Sequence, residues 1–157
     1  MQKYIPLIIL VLLVLGLALY FGPGLYKGYT FRRDSRLMLD AAKMGNLTGV
    51  TGAIDKLQQP RIRPLINHYV PMDYYQHIKS LKLTSWDLRD DGSIWAIVTL
   101  QIDQGGEMGI YQGKLHWLFD GRRWWWDFED SYGGVFAPSG EPAWTRLGDL
   151  IPLAEAL

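Results

Sequence analysis

Hydrophobic and polar positions fall into three regimes along the chain. From Tyr4 to Tyr26 no residue is charged, and Lys3 and Lys27 bracket 23 residues whose centre, Ile5 to Leu15, is almost wholly aliphatic. At about 1.5 Å per residue such a helix spans roughly 30 Å, the thickness of bilayer hydrocarbon. Ile5, Leu10, Leu15 and Tyr20 are the expected lipid-facing positions. Tyr4 at one end and Tyr20, Phe21 and Tyr26 at the other take the places of interfacial aromatic anchors, and Gly22-Pro23-Gly24 predicts a helix stop at the membrane boundary. The chain divides accordingly into a transmembrane anchor, 1–27, and a domain, 28–157.

A cleaved signal peptide is the alternative, because Gly16-Leu17-Ala18 offers small residues to a signal peptidase. Against cleavage, the apolar run continues through Leu19, Tyr20 and Phe21 and ends in aromatic anchors. An uncleaved signal anchor in the cell (inner) membrane is therefore expected. Lys27, Arg32, Arg33 and Arg36 outnumber the cations before the segment, so a positive-inside count votes for a cytoplasmic domain. The very short N-terminal tail, together with the absence of cysteine, favours the opposite side, and the expected location is extracytoplasmic.

Between about 34 and 70 the apolar period is helical. Asp34 or Ser35 caps a first helix carrying Leu37, Met38, Ala41, Ala42 and Met44 and ending at Gly45. Asn46 or Thr48 starts a second, whose stripe Val50, Ala53, Ile54 and Leu57 halts at Pro60. Pro64 suits the first turn of a third, with Leu65, Ile66, Tyr69 and Val70 inward and Pro71 as its stop.

After about residue 76 the period becomes two. Leu81–Arg89 and Ser93–Asp103 predict strands joined at Asp90-Asp91-Gly92, and Gly109–Phe119 and Arg123–Glu129 predict strands joined at Asp120-Gly121. With Asp120 and Gly121 as a two-residue turn, Phe119 faces Arg122, Trp117 faces Trp124, Leu115 faces Trp126 and Gly113 faces Phe128. The same register sets Lys114 against Asp127 and His116 against Trp125. In the earlier hairpin, Trp86, Leu88, Trp95 and Ile97 are expected on one face, and Ile94, Ala96, Val98, Leu100 and Ile102 on the other. A sheet apolar on both faces predicts something covering both: the helices on one side, and a partner or the C-terminal segment, with Trp144, Leu147, Leu150 and Ile151 at helical spacing, on the other. The fold class is α+β: a transmembrane helix, then three short helices on a curved antiparallel sheet of four or more strands.

Composition narrows the function. Sixteen Lys+Arg against sixteen Asp+Glu remove the basic surplus of a nucleic-acid binder. No cysteine means no disulfide, thiolate nucleophile or thiolate metal site. Asn46-Leu47-Thr48 has the form of a glycosylation acceptor, but helix capping accounts for it.

Three short helices before the sheet, Asn46-Leu47-Thr48 restarting a helix after Gly45, and the late hairpin from Trp117 to Trp126 with its Asp120-Gly121 turn resemble the nuclear transport factor 2-like superfamily over about residues 30–130. The departures are the membrane segment, the tripled tryptophan and a tail of about 25 residues. The resemblance implies a cone of sheet and helices enclosing a pocket; members include isomerases, epoxide hydrolases and cyclases, ligand binders, and membrane-anchored subunits of larger machines.

An isomerase-type site needs a base inside the cone beside a hydrogen-bonding acid. Asp87, Asp103 and Asp127 are the candidate bases, with Tyr69, Tyr74, Tyr75, Tyr111 and Tyr132 around them. His68, His77 and His116 show no metal-ligand spacing, and no metal or cofactor is expected. Trp125 is out of phase with Trp124 and Trp126 and shares the opposite face with His116 and Arg123, so these three form the expected interface patch; a core position beneath the C-terminal tail and stacking on a carbohydrate or other ligand are the alternatives for Trp125. The expectation is a non-catalytic binding or assembly subunit of a membrane complex, with the lipid bilayer and a second copy or another membrane protein as partners. The alternative is a membrane-tethered ligand binder or enzyme using the cone cavity.

Overall fold

The computed structural model describes residues 5–135 and 143–156. Tyr4 and Lys3, counted above among the membrane-end residues, and part of the C-terminal tail lie outside them. The fold is α+β: a long N-terminal apolar helix, two short helices, an open five-stranded antiparallel sheet and a short C-terminal helix.

Helix α1 runs Ile5–Lys43 with Pro23 inside it, so Gly22-Pro23-Gly24 does not stop the helix. The apolar segment and the first domain helix are one continuous helix. Pro23 removes one backbone donor and crowds the preceding turn, but from Tyr26 onward the domain holds the helix in place. The Tyr26 ring meets Phe119 edge-on with centroids 6.3 Å apart, and the Trp124 indole nitrogen donates to Lys27 O (3.1 Å). Asp34 and Ser35 are therefore not caps; both are buried mid-helix. The expected end at Gly45 stands, with Gly45 at φ +74°.

Helix α2, Leu47–Ala53, is capped by Asn46, whose side chain accepts from Gly49 N. It is shorter than the apolar stripe suggests, because Ile54 already turns extended, and Leu57 is exposed. Helix α3, Gln59–Tyr69, has Pro60 in its first turn, so this proline opens a helix rather than ending the previous one, and Pro64 lies in its interior. Its fully buried residue is Ile62, while Tyr69 is exposed. A 3-10 turn at Tyr74–His77 leads into the sheet.

The strands are β1 Ile78–Leu88, β2 Ile94–Asp103, β3 Met108–Phe119, β4 Trp124–Val135 and β5 Ala143–Arg146, in that spatial order. Trp144 thus belongs to a strand, and the C-terminal helix α4 is Leu150–Glu155, with Ile151 buried. Both hairpins form at the expected Asp-Gly sites. Trp86 pairs with Ala96 and Leu88 with Ile94, so the four share the helix-facing side; a bulge between Leu83 and Ser85 shifts the alternation. Trp95 and Ile97 lie on the other face, without Trp86 and Leu88. The late hairpin departs in register: Phe119 pairs with Trp124, Trp117 with Trp126 and His116 with Asp127. Asp120 Oδ1 accepts from the backbone of Arg122 and Arg123 (2.9 Å each), and Gly121 takes φ +96°, which centres the turn on Gly121-Arg122, one residue later than expected. The pairing moves by two, so every residue keeps its face. That shift sets Trp125 opposite Leu118 instead of His116, and a bulge after Lys114 then sets Lys114 opposite Tyr132 instead of Asp127.

The core lies between the helices and one face of the sheet. Phe31 is its hub, with the rings of Trp86, Trp117 and Trp124 centred 5.3, 5.6 and 5.7 Å away. Met38, Leu39 and Ile62 from the helices, Ile54 just after α2, and Ile94, Ala96, Val98, Leu115 and Trp126 from the sheet complete it.

Candidate functional site

On the sheet face away from the helices, β2, β3 and β4 bring together Trp95, His116 and Asp127. The Trp95 and His116 rings stack at 4.5 Å and 26°, and the Lys114 ammonium sits 5.3 Å above Trp95. His116 Nδ1 lies 2.8 Å from Asp127 Oδ2. Asp127 is 4% exposed, deep enough that its charge must be answered. Burial pushes its carboxyl up, but hydrogen bonds from His116, the Gln58 amide (2.7 Å) and the Asp130 backbone outweigh it and hold the group below the ordinary carboxylate range. With Asp127 ionised, its Oδ2 accepts a hydrogen bond from His116 Nδ1.

Such a pair orients an imidazole, the second half of a nucleophilic triad. The first half is missing: among the described residues no hydroxyl donates to His116 Nε2. The nearby Ser131 hydroxyl donates to Asp127 O and accepts from His116 N and the Trp126 indole. His116, Asp127 and Asp130 could also offer three ligand atoms to a cation. Those atoms have partners already: His116 and Gln58 on Asp127, and the Arg146 guanidinium on Asp130.

Trp125 has a different neighbourhood. It is 8% exposed, its indole nitrogen donates to Asp120 Oδ2 (2.7 Å), and its ring lies between the Arg123 guanidinium at 4.0 Å and the Lys56 ammonium at 5.0 Å. The backbone of Arg123, the Trp125 indole and the backbone of Arg122 together lower Asp120 to about 2. Of the expected patch, Trp125 and Arg123 come into contact, and His116 joins Trp95 and Asp127 instead. Trp125 is a covered ring between two cations, not a presented one. The anchor positions Leu10, Leu15 and Tyr20 are exposed along α1, where no domain residue packs on them, and Ile5 opens that helix.

The residues considered for acid–base chemistry do not converge in the interior. Asp87 pairs with Arg89, and Tyr111 accepts from Gln104. Tyr74, His77 and Asp103 do share a depression of about 410 Å3 at the end of β2. There the Tyr74 hydroxyl donates to Ala42 O (2.7 Å), Lys79 pairs with Asp103, and the Gly106 backbone donates to it. Burial raises the Tyr74 phenol, and the Gly106 hydrogen bond lowers Asp103. His68 packs on the Tyr69 ring. Gln58 and Trp95 were missed as site residues. Trp95 was visible as an aromatic on the His116 face, whereas Gln58 meets Asp127 across 69 positions of sequence and gives no local signal.

Comparison with known proteins found no match, whether to a family model, to a curated protein or to a solved structure.

Proposed function

We propose that the chain is a single-pass membrane protein whose α+β domain acts as a non-catalytic binding or assembly subunit of a membrane complex, in the manner of the anchored nuclear transport factor 2-like proteins it resembles. One observation carries this reading. Between the helices and the sheet, where the resemblance would put a pocket, Phe31 packs against the rings of Trp86, Trp117 and Trp124, and a ligand pocket needs open volume with convergent polar groups. The apolar helix supports the membrane half: it is long enough to span, and none of its apolar stretch is buried in the domain.

The test is the mass of the protein extracted in mild detergent, read by light scattering after gel filtration. The reading expects a complex of at least two chains after subtraction of the micelle; a lone 18.0 kDa chain contradicts assembly. The second reading, a tethered ligand binder, draws on the depression of Tyr74, His77 and Asp103. It expects some small apolar ligand to raise the melting temperature in the wild type and not in His77→Ala.

A further inference from the structure

The two edges of the sheet are treated differently. Along β4 the outer edge is closed group by group: Trp124 N donates to Asp34 Oδ2 (2.9 Å), Asp55 N to Trp126 O (2.8 Å) and Glu129 N to Gln58 Oε1 (3.2 Å). Strand β5 covers Tyr132–Val135. At the other edge β1 offers 11 residues, and among the described residues no hydrogen bond reaches its outward backbone groups. Two adjoining depressions of about 340 and 300 Å3 run between this edge and α1. Their floor is Leu39, Leu81 and Leu83, and their cations are Arg32, Arg36 and Lys43 on α1 and Lys79 and Lys82 on β1. Among the described residues Asp40, paired with Lys43, is the one acidic group lining them, and Asp103 lies beside Lys79.

We propose that this groove receives an acidic, extended segment of a partner protein, which adds to β1 as a sixth strand. Main-chain pairing supplies affinity in such strand addition, and alternate side chains supply specificity. From Arg32 to Lys43 α1 advances roughly 16 Å, the length of about five strand residues. Lysines and bulges on an edge also discourage pairing with a like edge. Here they select rather than forbid: two copies meeting through β1 would oppose Lys79 and Lys82 to themselves, whereas a Glu- or Asp-bearing strand would neutralise them. Lipid headgroups fit less well, because the groove begins roughly 9 Å beyond Tyr26 along the helix and ends roughly 26 Å beyond it, while screening confines surface potential to about 8–10 Å.

The inference rests on the assembly reading and names its surface. Its test uses the full chain in detergent micelles and a fluorescent, end-blocked nonapeptide of alternating Glu and Val, followed by anisotropy. The expected result is saturable binding that weakens at least tenfold between low and high salt. A Lys-Val peptide should not bind, nor an acidic peptide with proline at alternate positions. The double variant Arg36→Glu/Lys82→Glu, at two exposed positions, should lose at least tenfold in affinity with an unchanged melting temperature. Equal binding of the proline peptide, undiminished binding to the double variant, no binding at all, or displacement by anionic phospholipid vesicles would each overturn the proposal. The extracted mass separates the two claims: a large complex unaffected by the double variant sinks this inference alone, and a lone chain that still binds the peptide sinks the assembly reading alone.

Discussion

Two tryptophans with the same burial differ in one atom's surroundings. The Trp124 indole nitrogen donates to Lys27 O and Thr30 Oγ1 at 3.1 Å, whereas that of Trp117 is buried with no partner. An unmade buried hydrogen bond costs about 1–3 kcal/mol. Trp117→Phe should therefore destabilise the domain about 1–2 kcal/mol less than Trp124→Phe in denaturant titrations, since one removes an orphan donor and the other creates orphan acceptors. Equal losses would mean that ring volume alone matters. Asp120 gives a pH prediction. Its folded pKa of about 2 lies below the ordinary value of 3.8, so its stabilising effect is complete above about pH 4 and is lost as pH falls towards 2. The stability gap between wild type and Asp120→Asn should shrink over that window, and a gap constant from pH 6 to 2.5 would contradict the loop geometry. Trp125 tests the patch read from sequence. Lying between Arg123 and Lys56 and tied to Asp120, it should cost stability when changed to Ala, although it lies outside the main cluster around Phe31.

Among the elements, the late hairpin shows what sequence carries and what it does not. The turn site and the facing of every large residue were legible, because Asp120-Gly121 and the alternation of Trp117, Phe119, Trp124 and Trp126 are local signals. The partner list was not, because the Asp120 carboxylate decides which two residues form the turn and a bulge after Lys114 resets the ladder. Coupling in a double-mutant cycle should accordingly join His116 with Asp127 and not Lys114 with Asp127. A coupling of Lys114 to Asp127 larger than that of His116 would restore the two-residue turn at Asp120-Gly121. Helix α1 teaches the reverse lesson. Gly22-Pro23-Gly24 is a strong local stop, overridden where the domain meets Tyr26 through Phe119 and Lys27 O through Trp124. The buried mid-helix Asp34, which receives Trp124 N from 90 residues away, was invisible for the same reason: its partner is distant in sequence.

At the scale of the whole molecule, one continuous helix joins an apolar stretch long enough to span a bilayer to the domain's core. The central claim is that the apolar part of α1 is an uncleaved span and not a discarded leader. The absence of cysteine makes the decisive measurement direct: single cysteines placed at Leu15 and at Arg36 are probed with a membrane-impermeant maleimide in intact and in detergent-opened vesicles. The account predicts that position 15 stays unlabelled in both intact and opened vesicles, while position 36 is labelled from one side of the bilayer only. Labelling of position 15 in intact vesicles, or a mature chain that begins near Leu19 and lacks that cysteine altogether, would contradict it.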